Sequence, residues 1–163
     1  MASFNAQHSF DAPPAAVTAA MTDPDFVASL RLPDLEPPEV LEGGEVDDGG
    51  RIVRARFKFV GRLDPIARRI MGNDRISWVQ EVRFDAANER GALGVIPDVH
   101  PERMKFGGEF RLTEKDGGTV RTLTGDLSIK VPLISRRAEQ HILPGLLTRV
   151  DLEAEALRAW LAR

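Results

Sequence analysis

The stretch 135-SRRAEQHILPGLLTRVDLEAEALRAWLAR-163 decides the fold, because its apolar residues recur at the spacing of one long helix. Spacings of three and four residues place side chains on a single helical face. This face comprises Ala138, Ile142, Leu146, Val150, Ala154, Leu157 and Leu161. We expect Ser135 to be the N-cap, since its hydroxyl can accept from an amide of the first turn. Pro144-Gly145 predicts a kink or a short break, because proline removes one helical hydrogen bond.

The chain before this helix alternates apolar and polar residues, which is typical of half-buried β-strands. The strand patterns cover 3–11, 40–46, 51–60, 76–85, 92–96, 103–114 and 119–131. Turns rich in aspartate and glycine, such as 47–50 and 115–118, join several of them. The pair Gly107-Gly108 in mid-strand predicts a bulge or a sharp bend.

Short helices are predicted at three places between the strands. Pro13-Pro14 starts the first, because proline fits a first helical turn, and Asp23-Pro24 ends it and caps the second. A third helix covers 64–72, where Asp64 is the expected cap and Gly72 the expected stop. This third helix either lies over a pocket mouth or closes one end of the sheet.

The order of these elements predicts an α+β fold in a single domain, residues 1–163. Consecutive alternating strands form an antiparallel meander with one apolar face, and only the long C-terminal helix is large enough to cover that face. The first strand joins the sheet most simply beside the last. We therefore expect a curved sheet of about seven strands wrapped around the helix, with two short helices after strand 1 and an interior space.

Composition excludes several functions. The net charge of −3 gives no basic face for nucleic acid, and there is no cysteine for disulfides or thiolate metal sites. No apolar run approaches the ~20 residues of a membrane span, and the N-terminus lacks a signal-peptide pattern, so the cytoplasm is expected. Asp98 and His100 share a loop, but two ligands are a weak metal signal. We predict no metal and no cofactor, and either a monomer or a homodimer.

Inward-facing residues of the strands and the helix predict a cavity for a hydrophobic small molecule. The candidate binding residues are His8, Phe10, Phe57, Phe59, Trp78, Gln80, Phe106, Phe110, Arg121, Leu127, Ile142 and Leu146. Apolar walls suit a lipid, polyketide or isoprenoid-like ligand, and His8, Gln80 and Arg121 would orient it.

Two alternatives remain open for this interior. The aromatic residues can fill it completely, which would leave an interaction module with no cavity. An enzyme of the cyclase, aromatase or dehydratase type would need a positioned acid or base. His8 or His141 could serve, but no carboxylate is expected inside to orient either, and no catalytic residue is assigned.

The element order and two motifs resemble the START-like, helix-grip (SRPBCC) superfamily. It includes relatives of the birch-pollen allergen (Bet v), START lipid-transfer domains and polyketide cyclases. The first motif is 10-FDAPPAAV-17 with the following Asp23-Pro24. The second is 116-DGGT-119 and 125-GDLSIKVPL-133 before the helix with Glu139, which is similar to an actinobacterial branch of uncharacterised members. These motifs are structural, so the resemblance implies the fold over the whole chain and no particular reaction.

Overall fold

An antiparallel sheet curves around one long helix in the computed structural model, which describes residues 1–72 and 75–163. The strands are β1 (Ala2–Phe10), β2 (Glu39–Glu45), β3 (Arg51–Lys58), β4 (Ser77–Phe84), β5 (Arg90–Pro97), β6 (Met104–Lys115) and β7 (Gly118–Ile129). The helices are α1 (Pro14–Met21), α2 (Pro24–Ser29), α3 (Pro65–Met71) and α4 (Ser135–Leu161). The described residues thus confirm the α+β class, the sheet of seven strands and the two short helices after β1.

The sheet order is β1-β7-β6-β5-β4-β3-β2, so the first strand pairs with the last, as predicted. In this pairing Phe4 lies opposite Gly125 and His8 lies opposite Arg121. A one-residue slip would turn every inward side chain of β1 outward, so burial of Phe4 and Phe10 holds the register. The register therefore brings two polar side chains from distant parts of the chain together.

Three glycines let β6 and β7 approach closely at their centre. A side chain at Gly125 would collide with the carbonyl oxygen of Gly107, and one at Gly108 would collide with that of Thr124. Of the bulge or sharp bend predicted at Gly107-Gly108, the bulge is absent, because the β6–β7 register is unbroken there. The glycines instead remove side-chain bulk where two backbones meet.

Helix α4 is continuous from Ser135 to Leu161 with Pro144 inside it, so the predicted break is absent. The N-cap prediction is also wrong. Ile134 holds the cap position, while the Ser135 hydroxyl bonds Val131, accepting from its N–H at 3.0 Å and donating to its carbonyl oxygen at 2.9 Å. A hydroxyl used this way closes the turn that leads into the helix. No helix of the described residues is long and apolar enough to cross a membrane.

One half of the interior is closely packed. Phe84 stacks on Phe110 with ring centroids 5.5 Å apart, and helices α1 and α2 cover this end of the sheet. Phe26 of α2 meets Trp160 of α4 edge-on at 5.5 Å. Burial of these rings removes a large apolar area from water, which stabilises the fold. The other half of the interior lies near the start of α4 and carries helix α3.

Helix α3 has the ends that the sequence predicts. The Asp64 carboxylate accepts from the Ala67 amide at 2.8 Å, and Gly72 ends the helix with a φ of 68°. Its buried residues Ile70 and Met71 point at the interior, so α3 lies against the open half.

Candidate functional site

The open half of the interior holds a cavity of about 380 Å³, called the main cavity below. Strands β3 to β6 form one wall, and α3 and α4 form the opposite one. Exposed Asp34, Arg62, Asp64 and His141 are among its lining residues and mark the mouth. Its apolar lining is Leu32, Leu35, Phe57, Phe59, Leu63, Ala67, Ile70, Met71, Ile76, Trp78, Leu93, Val95, Pro97, Met104, Phe106, Ile142, Leu146 and Val150. The structure therefore contains a space, which the hypothesis of a fully packed interior does not allow.

The structure brings seven of the predicted binding residues together at the main cavity. These are Phe57, Phe59, Trp78, Gln80, Phe106, Ile142 and Leu146. The other five do not line it: Arg121 lines a second, smaller space, and His8, Phe10, Phe110 and Leu127 line neither. Around Phe110 the physical reason is aromatic packing, because the Phe84–Phe110 stack and the Arg121 side chain occupy the volume there. Leu127 lies opposite the cavity residue Phe106 in the sheet and is fully buried.

The smaller space, called the inner chamber, has a volume of about 30 Å³. Phe57, Gln80 and Glu153 line both the inner chamber and the main cavity, so they form the wall between the two. Gln80 Nε2 donates to the two carboxylate oxygens of Glu153 at 3.4 and 3.5 Å. Burial raises the pKa of Glu153, while the Gln80 bond and the charges of Arg121 and Arg149 oppose that rise.

Arg121 is a buried cation on the far side of the inner chamber. Its side chain is 4% exposed, and its guanidinium carbon lies 5.1 Å from the ring centroid of Phe10 and 5.2 Å from that of Phe110. One terminal nitrogen donates to the sulfur of Met21 at 3.4 Å, and Nε has no hydrogen-bond partner among the described residues. Burial lowers the pKa of Arg121 to about 10, so it stays protonated at neutral pH.

His8 connects Arg121 to the surface. The other terminal nitrogen of Arg121 lies 3.1 Å from His8 Nδ1, and His8 Nε2 lies 2.8 Å from Oδ1 of Asp151, whose side chain is 67% exposed. A guanidinium only donates, so Nδ1 must accept. Nε2 therefore carries the proton and donates to Asp151. His8 is thus a neutral imidazole in the Nε2–H tautomer.

The neutral state of His8 predicts a pH dependence of stability. Burial lowers the pKa of His8 below its ordinary value of 6.5, the Arg121 charge acts in the same direction, and the Asp151 bond opposes it. The unfolded chain therefore takes up a proton before the folded one as the pH falls. We expect the free energy of unfolding to decrease as the pH falls below 6.5.

Urea denaturation at several pH values measures this effect. His8→Gln keeps the hydrogen-bonding capacity without the titration, so the loss between pH 6.5 and the lower folded-state pKa should disappear. An unchanged dependence in His8→Gln would contradict the assignment.

Two carboxylates at this site were not predicted from the sequence. Asp151 orients His8, and Glu153 stands in the wall of the main cavity. For Glu153 a signal was present: it follows Leu146 by seven residues and Val150 by three, which places it on the apolar face of α4. A carboxylate within an apolar helical face is a candidate for an internal polar group.

The mouth is held by polar contacts between elements. His141 Nε2 of α4 lies 2.9 Å from Oδ2 of Asp64 at the start of α3. The Ala67 amide, and after it His141, lower the pKa of Asp64 although burial raises it. The Arg149 guanidinium carbon lies 5.8 Å from the Phe59 ring centroid and Nη1 donates to the Pro33 carbonyl. The His141–Asp64 contact ties α4 to the start of α3, and the Arg149 contacts tie α4 to Phe59 and Pro33.

Asp98, the suggested metal ligand, has other partners. Its carboxylate accepts from Arg56 Nε at 3.0 Å and from the Ser77 hydroxyl at 2.6 Å. Within residues 1–72 and 75–163, no three His, Asp or Glu side chains are grouped so that they could hold a metal ion.

Solved structures with the same fold span nearly the whole chain. The protein TTHA0849 from Thermus thermophilus has a TM-score of 0.67 and 17% identity, and the match covers 98% of this chain and 97% of that one. The Zhui aromatase/cyclase from Streptomyces sp. R1128 has a TM-score of 0.66 and 19% identity, covering 99% and 93%. Ara h 8.0201 has a TM-score of 0.64 and 16% identity, covering 98% and 97%. These matches confirm the predicted helix-grip fold.

Sequence comparison defines the family more narrowly. No curated protein matches the chain. The model of one family, described as a protein of unknown function (DUF2505), matches residues 5–161, and the chain therefore belongs to the DUF2505 family.

Proposed function

We propose that this protein binds a hydrophobic small molecule in the main cavity and acts as a carrier or sensor in the cytoplasm. The observation that carries the proposal is the cavity of about 380 Å³ with apolar walls and a mouth between α3 and α4. Ligand sites of small molecules have volumes of about 300–1,000 Å³ and are lined mainly by apolar and aromatic side chains. A lipid, polyketide or isoprenoid-like molecule matches this description. The fold shared with the Zhui aromatase/cyclase supports a cavity of this kind.

Trp78 provides a test of binding. It lines the main cavity and stacks on Phe57 with ring centroids 5.9 Å apart, whereas Trp160 packs on Phe26 in the other half. In a Trp160→Phe variant, Nile red and long-chain lipids should change the remaining Trp78 emission in a saturable manner. Native mass spectrometry of the purified protein should also show retained apolar molecules. A clean protein mass together with unchanged Trp78 emission would falsify the proposal.

A second candidate, an enzyme of the cyclase, aromatase or dehydratase type, has one specific observation in its favour. Glu153 borders the main cavity, and burial raises its pKa, a combination that is typical of catalytic acids and bases. Among the described residues, Glu153 accepts hydrogen bonds only from Gln80, and both bonds are long. Under this hypothesis Glu153→Gln abolishes turnover and leaves ligand binding intact, whereas a carrier has no turnover to lose.

A further inference from the structure

The wall between the main cavity and the inner chamber contains an acceptor with spare capacity. Among the described residues, Glu153 accepts only from Gln80, at 3.4 and 3.5 Å, and such distances exceed the usual 2.7–3.2 Å of an N–H···O bond. A carboxylate offers about four lone-pair sites. The Glu153 oxygens can therefore take a further and stronger donor from a ligand in the main cavity.

Arg121, beside the inner chamber, has a donor without an acceptor. Its Nε is buried and unpartnered within the described part of the chain, and its side chain lines the same chamber as Glu153. Each of its two terminal nitrogens already directs one N–H, at Met21 or at His8. The Nε–H therefore remains as a buried donor that an acceptor atom of a ligand can satisfy.

These two groups discriminate between ligand end groups. A carboxylate would be attracted by the Arg121 cation but would lie against the Glu153 carboxylate, and like charges at short range disfavour each other. An ammonium would satisfy Glu153 but would meet the cation of Arg121. A hydrocarbon end would leave both groups unsatisfied, which costs free energy in a buried site. A hydroxyl donates to one group and accepts from the other.

We propose that the Gln80–Glu153–Arg121 junction is a subsite for a hydroxyl group, and that the ligand is an apolar alcohol or phenol. This inference rests on the proposed function, since the apolar body of the alcohol occupies the main cavity. The inner chamber, at about 30 Å³, has room for a group of about the size of a water molecule. The hydroxyl passes between Gln80 and Glu153, whose mutual contacts are long, into this chamber, while the chain or ring contacts residues such as Phe57 and Leu146.

Three probes with the same hydrocarbon chain test the subsite: decan-1-ol, decanoate and decylamine, titrated by calorimetry at neutral pH. We expect decan-1-ol to bind at least about tenfold more tightly than either charged probe. In Glu153→Leu the affinity for decan-1-ol should fall about tenfold to a hundredfold, as for loss of a hydrogen bond to a charged group. Decanoate affinity should stay the same or rise. If decanoate bound the wild type as tightly as decan-1-ol does, the inference would be overturned.

Two further variants separate the subsite from damage to the fold. Glu155→Leu makes the same change at an exposed position of α4 and should bind all three probes as the wild type does. Glu153→Gln retains a hydrogen-bond acceptor and removes the negative charge. Its affinity for decan-1-ol should therefore stay at the wild-type level, while its affinity for decanoate should rise. An equal loss of every probe in Glu153→Gln would also overturn the inference. If no apolar probe of any kind binds the wild type, the proposed function itself fails, whereas binding of decanoate alone refutes only the hydroxyl subsite.

Discussion

Leu146→Trp should abolish binding of hydrophobic ligands while leaving the protein folded. Leu146 lies in the middle of α4 and lines the main cavity, so the indole ring would occupy the space that a ligand needs. We expect the affinity for Nile red to fall at least about a hundredfold. The reason is that the indole ring then covers the apolar cavity walls whose burial by the dye drives binding. Filling a cavity commonly stabilises a protein by about 0.5–2 kcal/mol, so the free energy of unfolding should stay constant or rise.

The neighbouring residue provides the control for this substitution. Leu147 is also half-buried and packs on the core, but it does not line the main cavity. Leu147→Trp should therefore bind Nile red with the wild-type affinity, as measured from the fluorescence of the dye. Equal binding by Leu146→Trp and the wild type would place the ligand outside the main cavity.

Gly125→Val should destabilise the protein by about 3 kcal/mol or more. A side chain at Gly125 would collide with backbone atoms of Gly107 and Gly108, and backbone in the centre of a sheet cannot move aside as a flexible side chain can. The collision would separate β6 from β7, the strands that link β1 to the rest of the sheet. Urea denaturation monitored by circular dichroism gives the change in free energy of unfolding.

Gly94→Val is the matched substitution for this test. Gly94 also lies inside a strand, β5, but a Cβ atom there meets no other atom within 4 Å. Valine favours extended backbone, so we expect a change within about 1 kcal/mol. If both variants lost the same stability, the effect would come from replacing any strand glycine and not from the close approach of β6 and β7.

Periodicity was sufficient to predict the secondary structure and the topology. Alternation along the strands and the three-and-four spacing of α4 are local properties, and each predicts which face of an element is buried. The caps Asp23 and Asp64 are local too, since they bond amides two and three residues away. The start of α4 was predicted incorrectly, because the Ser135 hydroxyl bonds the backbone of Val131, four residues before it, and not an amide of the helix.

The division of the interior into a packed and an open half depends on contacts across the whole chain. The sequence places Phe10, Phe57, Phe106 and Phe110 on the same inner face, and nothing in their pattern separates those that fill space from those that line it. Which rings fill space and which line the cavity is set by the residues that each ring contacts, and these lie far away in the sequence. Arg121 lies between the rings of Phe10 and Phe110, whereas Phe57 and Phe106 border the cavity.

The residue pattern alone predicts a curved sheet around a long helix over 135–163, because hydrophobic periodicity is a property of neighbouring residues. Which polar groups meet inside depends on contacts between distant parts of the chain. His8, Arg121 and Asp151 come from β1, β7 and α4, and the strand register and the helix packing bring them into contact. Glu153 faces the cavity for the same reason, since the rotation of α4 against the sheet is set by the fit of all its apolar side chains at once.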